Sequence, residues 1–184
     1  MRYGDLGSAI GELVHDLTNG RISHSTRCHL DPDLDPAHLP RLEGWRGSLG
    51  QVATAEGHLR RQGVQRGDLF LFFGLFRQVE RSDRWRFIGS REHRIFGWLQ
   101  VDCILDWGPD GSHALRARPW VRGLAPARAG WGVVNRLYVA TERRRLPGLR
   151  MQQRGWGLFR DGKRLTASDR TPSIWLVPDW LNPS

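Results

Sequence analysis

The sequence has 184 residues, the length of one domain, and it is long enough to bury a sizeable hydrophobic core. Hydrophobic residues make up 39% of the chain, a share that excludes a disordered polypeptide. No apolar run approaches the roughly 18 residues that a membrane span requires, so we expect no membrane association. The first residues lack the pattern of a secretory signal, and two distant cysteines favour a reducing compartment, so the expected location is the cytoplasm.

The chain is strongly basic. Its 28 Lys and Arg residues outnumber 19 Asp and Glu residues, which gives a formal net charge of +9. A basic surplus attracts polyanions through the summed field of the protein and through counterion release. The charge therefore favours DNA or a nucleotide as the partner, and the other interpretation is a solvated, arginine-rich surface.

The amino-terminal part has the pattern of a short helix followed by a long loop. Apolar residues recur at helical spacing within residues 1–20, which predicts a helix that ends at Gly20. Residues 21–50 show no periodicity and carry repeated Asp and Pro, so they are predicted to form an irregular loop. A second short helix is predicted over residues 51–62.

From residue 64 onward the pattern is that of β-strands. Residues 69–77 are apolar on both faces, which predicts a strand that is not at the edge of a sheet. Further strands are predicted over residues 84–89 and 94–106, with a turn at residues 89–93 between them. The remaining predicted strands are residues 136–140, 155–159, 164–166 and 173–176.

These elements predict one α+β domain over residues 1–184, with a β-rich core over residues 64–181. Glycines lie inside several of the strands, and glycine is the residue at which small sheets bend. The expected architecture is therefore a curled, mostly antiparallel β-sheet, or a small barrel, with two or more short helices.

One loop concentrates ligand-capable side chains. It places His29 near Asp31 and Asp33, a set that could exchange a proton as an acid–base pair or contact a base. With His24 or His58 the same groups could surround a divalent ion. The third interpretation is structural, because Asp before Pro starts turns and caps backbone amides. The spacing matches no established ligand motif, so no metal site is predicted.

The segment before the second predicted helix combines an aromatic ring, a cation and an amide. Trp45 could stack on a base and Arg46 could pair with a phosphate, while Gln51 reads a polar base edge. The alternative is a tight turn in which Trp45 packs into the core. No Walker A or GxGxxG fingerprint accompanies the segment, so we expect no nucleotide cofactor, and no other cofactor either.

The chain has nine tryptophans, several of them beside arginine. Aromatic side chains interleaved with cations can stack on unpaired bases, although most tryptophans of any domain lie in its core. We expect Trp156 or Trp175 to stack on a base together with Trp45. Arg77 ends the most apolar strand, so it is expected to reach a rim or pocket and contact phosphate. No motif for nucleophilic, zinc or kinase catalysis is present, which leaves open whether the protein is an enzyme.

Several phrases, in this order, resemble the nucleotide modification associated domain of type 3. They are His29–Leu34, Gly44–Arg46, Gly50–Gln51, His58–Leu59, Gly67–Arg77, Arg164–Thr166 and Ser173–Trp180. The resemblance spans residues 28 to 181 and implies a bacterial or phage protein from a system that makes or handles modified DNA bases. His58 and Thr166 lie in these phrases and join the candidate nucleotide-binding residues. Leu75 stands where the family tends to have tryptophan.

A second, shorter resemblance concerns Gly67–Phe72 followed by Ile95–Val101. This pair of segments is similar to strands of the PUA-like barrels of the ASCH and EVE kind, whose pocket accepts a nucleobase. The resemblance implies a PUA-like form of the predicted sheet.

The leading hypothesis is a domain that binds a modified base or nucleotide, with further partners from a DNA-modification system. The second hypothesis is an enzyme that acts on a nucleotide or base, with His29 and Asp31 as its acid–base pair. The third is a structural or partner-binding module whose aromatic residues are simply core.

Overall fold

The computed structural model describes residues 1–37, 39–106, 118–123, 135–143, 154–177 and 179. Its helices are α1 (Ser8–Leu17) and α2 (Ala53–Arg61), and short 3-10 helices cover Tyr3–Leu6 and Pro119–Gly123. Its strands are β1 (Ser48–Val52), β2 (Leu69–Arg81), β3 (Trp85–Asp106), β4 (Asn135–Ala140) and β5 (Trp156–Arg164). In the described part of the chain, no helix has the length and apolarity needed to cross a bilayer. Trp107, Trp131 and Trp180 lie outside the described residues.

Backbone pairing joins the strands in the order β1-β4-β3-β2, and β5 also pairs with β3. Strand β4 is antiparallel to both of its neighbours. Across the described residues the pairing does not close into a barrel. The prediction of an α+β fold with a mostly antiparallel sheet and short helices is therefore confirmed, and its form is an open sheet.

Strand β1 lies partly inside the stretch that the sequence predicted as loop. It pairs with β4 from Ser48 opposite Val139 to Val52 opposite Asn135. Asp33 and Ser48 also exchange two backbone hydrogen bonds of 2.9 Å, which hold the preceding loop against the start of β1. A five-residue strand that contains Ser, Gly and Gln has too little apolar alternation to be found by pattern.

The predicted turn at residues 89–93 is wrong, because β3 runs without interruption through it. Gly89 has a φ of +62°, which glycine adopts without steric cost, so the irregularity fits inside a strand. Gly162, with a φ of +59°, has the same effect in β5, which continues from the predicted strand over residues 155–159 to Arg164, the first residue of the next predicted strand. In place of the strand predicted over residues 173–176, the structure has one isolated β-bridge between Thr166 and Trp175.

The prediction that residues 69–77 form a strand away from the sheet edge is also wrong. Strand β2 is the last strand in the order β1-β4-β3-β2. Several of its apolar side chains are exposed: Phe73 is 52% exposed and Leu75 is 51% exposed, whereas Phe70 and Phe72 are half-buried. The apolar character of the run therefore does not reflect burial on both sides. Exposed apolar patches of this kind commonly mark sites of interaction.

The chain divides into two compact units. The first consists of Met1–Cys28, Leu71–Gly97 and Phe159–Ser184, and the second of His29–Phe70 and Trp98–Leu158. In the first unit, α1 contacts the β2–β3 hairpin, because Arg81 pairs with Glu12 at 3.0 Å and the Trp85 amide donates to Asp16 at 2.9 Å. The prediction that residues 1–184 form a single domain stays a prediction.

The core of the second unit contains a buried charge. Trp120, Val121, Leu137 and Val139 form its apolar centre. Nearby, the fully buried Glu56 of α2 accepts a hydrogen bond of 2.8 Å from the Tyr138 hydroxyl and lies 3.3 Å from a guanidinium nitrogen of Arg136. Burial and the bond to the Glu56 carboxylate raise the pKa of Tyr138 well above its usual value, so this residue stays a donor.

We expect Tyr138→Phe to lower the free energy of unfolding by about 1–3 kcal/mol, because it leaves a buried oxygen of Glu56 without a donor. Chemical denaturation followed by tryptophan fluorescence measures this loss. Tyr3→Phe is the matched control, since Tyr3 is the other of the two tyrosines and is only partly buried. Equal losses in the two variants would contradict a specific role for the Tyr138 hydroxyl.

Candidate functional site

The residues that the sequence singled out fall into two groups, one in each unit. The second unit contains His29, Asp31, Asp33, Trp45, Arg46, Gln51, His58 and Trp156. The first unit contains Arg77, Thr166 and Trp175. In the second unit, Asp33 and Arg46 are each already paired with a side chain of opposite charge.

The acidic loop of the second unit is largely satisfied by its own neighbours. Asp33 is buried, and its two carboxylate oxygens accept from two guanidinium nitrogens of Arg41, each at 2.7 Å. Asp31 accepts from the Gly50 amide at 3.1 Å. Desolvation raises the pKa of Asp31, although that hydrogen bond and the electrostatic interaction with His29 act in the opposite direction. In the described part of the chain, no group of three or more His, Cys, Asp or Glu residues is placed to hold a metal ion.

The two tryptophans of this group pack against each other. Trp45 and Trp156 meet edge to face, with ring centroids 5.8 Å apart. The guanidinium carbon of Arg41 lies 4.1 Å from the centre of the Trp45 ring and covers one face of it. Gly47 is needed here, because a Cβ at this position would lie 2.4 Å from the Trp156 ring. This arrangement favours a structural role for both rings.

Arg46 is buried and already neutralised. Its Nη1 donates to Asp102 at 2.8 Å, and the exposed Arg66 donates to the other oxygen of the same carboxylate at 3.0 Å. Burial opposes ionisation of Asp102, but the hydrogen bonds and charges of the two arginines outweigh it and lower the pKa. Gln51 lies in β1 opposite Arg136, and His58 is exposed on α2.

The first unit presents a cluster of three rings, which we call the aromatic triad: Phe73, His93 and Trp175. The centroid of Phe73 lies 5.8 Å from that of His93 and 5.0 Å from that of Trp175, and the two latter rings are 5.5 Å apart. All three contacts are edge to face. Phe73 is the ring with half of its surface exposed.

The triad is held by the carbonyl oxygen of Pro172. Nδ1 of His93 lies 2.9 Å from this oxygen, and Nε1 of Trp175 and the Thr166 hydroxyl donate to it, each at 3.1 Å. Nε1 of Trp175 also lies 3.1 Å from Nδ1 of His93, so the tautomer of His93 decides whether this nitrogen donates to Pro172 or accepts from Trp175. The Thr166 hydroxyl in turn accepts from the His93 amide at 2.8 Å.

A groove of about 810 Å³ adjoins the triad. We call it the arginine groove because four arginines line it: Arg77, Arg91, Arg164 and Arg170. Glu92 and Asp169 are the carboxylates in its lining, so positive charge is in excess. Arg164 pairs with Glu92 at 3.1 Å, whereas the side chains of Arg91 and Arg170 have no ion pair or hydrogen bond with the described residues.

One sheet face connects the triad with the groove. Phe73 and Arg77 are both odd-numbered in β2, and Arg91 and His93 are both odd-numbered in β3, so each pair projects from the same side of its strand. Pro172 belongs to both features, since it lines the groove and accepts the hydrogen bonds of the triad.

Sequence reasoning found part of this face and missed the rest. It singled out Arg77, Thr166 and Trp175 but not Phe73, Arg91 or His93. The last two fell inside the supposed turn at residues 89–93, and that assignment concealed the alternation along β3. The signal that could have revealed them is the alternation of side chains along β3, if the strand is continued past Gly89.

We expect Asp102→Ala to lower the free energy of unfolding by about 2–3 kcal/mol, because it leaves the buried guanidinium of Arg46 without its carboxylate. Arg66→Ala removes the exposed partner of the same carboxylate and should cost about 0–1 kcal/mol. Urea titration of the two variants measures the difference. A larger loss for Arg66→Ala than for Asp102→Ala would show that Arg46 does not depend on this pair.

The raised pKa of Asp31 predicts a pH-dependent effect of Asp31→Asn. The folded state binds the proton more tightly than the unfolded chain, so the ionised carboxylate destabilises the fold at pH values above its pKa. The amide oxygen of Asn can still accept from the Gly50 amide. We therefore expect the variant to melt at a higher temperature than wild type at pH 7, with the advantage disappearing as the pH falls below the usual Asp value of 3.8. An advantage that grows toward low pH would contradict the direction of the shift.

The comparisons with known proteins give one family. Neither the curated proteins nor the solved structures contain a match to the chain. The family described as nucleotide modification associated domain 3 matches residues 1–184, which extends the resemblance seen from residue 28 to the amino terminus. The chain belongs to the nucleotide modification associated domain 3 family.

Proposed function

We propose that this protein binds an unpaired nucleotide of a nucleic acid, with the base against the aromatic triad and the phosphates in the arginine groove. The observation that carries the proposal is the half-exposed ring of Phe73 beside a groove lined by four arginines. Stacking of a base on an aromatic side chain contributes about 1–3 kcal/mol, and guanidinium groups bind phosphate in a bidentate manner.

The spacing along β2 suits such a ligand. Phe73 and Arg77 are four residues apart, which corresponds to about 13 Å along a strand. The long arginine side chains shorten that separation, so a base on Phe73 can leave its own phosphate or the next one within reach of the groove. Arg91 and Arg170 are the groove cations that can pair with it without first losing a partner among the described residues.

An unpaired base fits the site better than a duplex does. The aromatic rings lie on a sheet face, and a base in a duplex already has both of its faces stacked on neighbours. Single-stranded nucleic acids are bound by the combination present here, a basic groove with aromatic rings beside it. The family description supports a nucleotide as the ligand and a place in a nucleotide-modification system.

A second candidate function, acid–base catalysis by His29 and Asp31, is favoured by the raised pKa of the Asp31 carboxylate. A carboxyl group with a raised pKa holds its proton closer to neutral pH and is a better general acid. The Gly50 amide already occupies one oxygen of Asp31, and His29 is exposed. Binding at the triad and the groove is therefore supported by more contacts than catalysis at this loop.

Binding of a fluorescent single-stranded thymidine oligonucleotide, followed by anisotropy, tests the proposal. Phe73→Ala should weaken binding roughly 5- to 30-fold, the equivalent of about 1–2 kcal/mol, because it removes the stacking surface. The double variant Arg91→Gln/Arg170→Gln should weaken binding and reduce the slope of log affinity against log salt by about 1.4. Melting temperatures of both variants should equal that of wild type.

Arg60→Gln/Arg160→Gln is the matched control, because it removes two exposed arginines that do not line the groove. Equal loss in the two double variants would reduce the binding to general attraction by the basic surface and overturn the proposed site. The oligonucleotide recovered after incubation is also weighed by mass spectrometry. A mass change that disappears in Asp31→Asn would favour the catalytic candidate.

A further inference from the structure

We propose that the first unit contains a second compartment that accepts an apolar substituent carried by the bound base. This inference rests on the proposed function and narrows its ligand to nucleotides whose base bears an uncharged hydrocarbon group. The compartment is a cavity of about 530 Å³, within the range of about 300–1,000 Å³ typical of small-molecule sites. We call it the apolar cavity.

The lining of the apolar cavity is mostly hydrocarbon. Its apolar residues are Leu71, Ile95, Phe159, Leu165 and Leu176. Lys163 and Arg164 complete the lining. Ile95 and Leu165 are buried and give the cavity a fixed wall, whereas Leu176 is 75% exposed and offers unsatisfied apolar surface. Apolar surface of this kind gains free energy when a hydrocarbon group displaces water from it.

The cavity lies beside the aromatic triad along the same sheet face. Leu71 precedes Phe73 by two residues in β2, and Ile95 follows His93 by two residues in β3, so each projects from the same side of its strand as its triad neighbour. Two residues correspond to about 7 Å along a strand. Arg77 lies on the other side of Phe73, so the triad has hydrocarbon in one direction and arginine in the other.

Arg164 is shared by the apolar cavity and the arginine groove. Glu92 fixes it, because one carboxylate oxygen contacts Arg164 at 3.1 Å while the other accepts from Nε of Arg94 at 2.5 Å. The two compartments therefore adjoin each other at one oriented guanidinium. A single ligand that fills both has an anionic part in the groove, a flat ring at Phe73 and an apolar group in the cavity.

A nucleotide with an alkylated or otherwise hydrocarbon-substituted base has these three parts in that order. An unsubstituted pyrimidine stacked on Phe73 leaves the cavity empty, since it has no group to send toward Leu71 and Leu176. A polar substituent would have to lose its water against the leucine side chains, which costs free energy without compensating hydrogen bonds. The lining therefore selects for hydrocarbon substituents.

The test compares two single-stranded thymidine oligonucleotides, one unmodified and one with 5-hexynyluracil at the central position. Wild-type protein should bind the hexynyl probe about tenfold more tightly than the unmodified probe. Leu176→Ser should abolish this preference and leave the affinity for the unmodified probe unchanged. Leu42→Ser is the matched control, because Leu42 is an exposed leucine that does not line the cavity, and it should keep the preference.

The outcomes separate this inference from the proposed function. Equal affinity for the two probes, or a preference that survives Leu176→Ser, overturns the apolar cavity as a substituent site while the arginine groove stands. Absence of binding to either probe overturns the proposed function and this inference with it. Leu176 is exposed, so the variant should melt at the wild-type temperature, and the melting curve verifies that the comparison concerns folded protein.

Discussion

The backbone carbonyl of Pro172 is the point on which the first unit's surface depends. This oxygen accepts hydrogen bonds from Thr166 and Trp175 and lies 2.9 Å from Nδ1 of His93, and so it ties the segment after β5 to the middle of β3. Two rings of the triad are thereby fixed in orientation by one acceptor. Phe73 forms edge-to-face contacts with both other rings of the triad. The proposed site is thus assembled around one backbone oxygen to which the side chains of Thr166 and Trp175 donate.

The basic character of the chain is unevenly available for binding. In the second unit, Arg41, Arg46 and Arg136 face carboxylates, so their charge contributes to folding and little to an external field. In the first unit, Arg91 and Arg170 face a groove without such partners in the described part of the chain. Net charge alone therefore overstates how much of the molecule can contact a polyanion, and the arrangement of carboxylates decides where contact is favourable.

Most elements of the fold could be predicted from the sequence, and the failures have physical causes. The helical periodicity before residue 20 and the apolar runs of β2 and β4 are local signals, and the structure contains the corresponding elements. Gly89 was assigned to a turn and Gly162 falls between two predicted strands, because sequence alone does not separate a bulge from a turn. The placement of β2 failed because an apolar run occurs both in buried strands and in strands with exposed apolar surface, and only the strand order separates the two.

The candidate site was harder to predict than the fold. Trp45 and Arg46 have the residue types that contact nucleotides, but their partners, Trp156 and Asp102, are distant in sequence and could not be foreseen. Lys163 leads to a practical consequence of the architecture. It is the single lysine of the chain, it is exposed, and it lines the apolar cavity. An amine-reactive fluorophore or photocrosslinker can therefore attach only there and at the amino terminus, which places a reporter at the proposed site without engineering a cysteine.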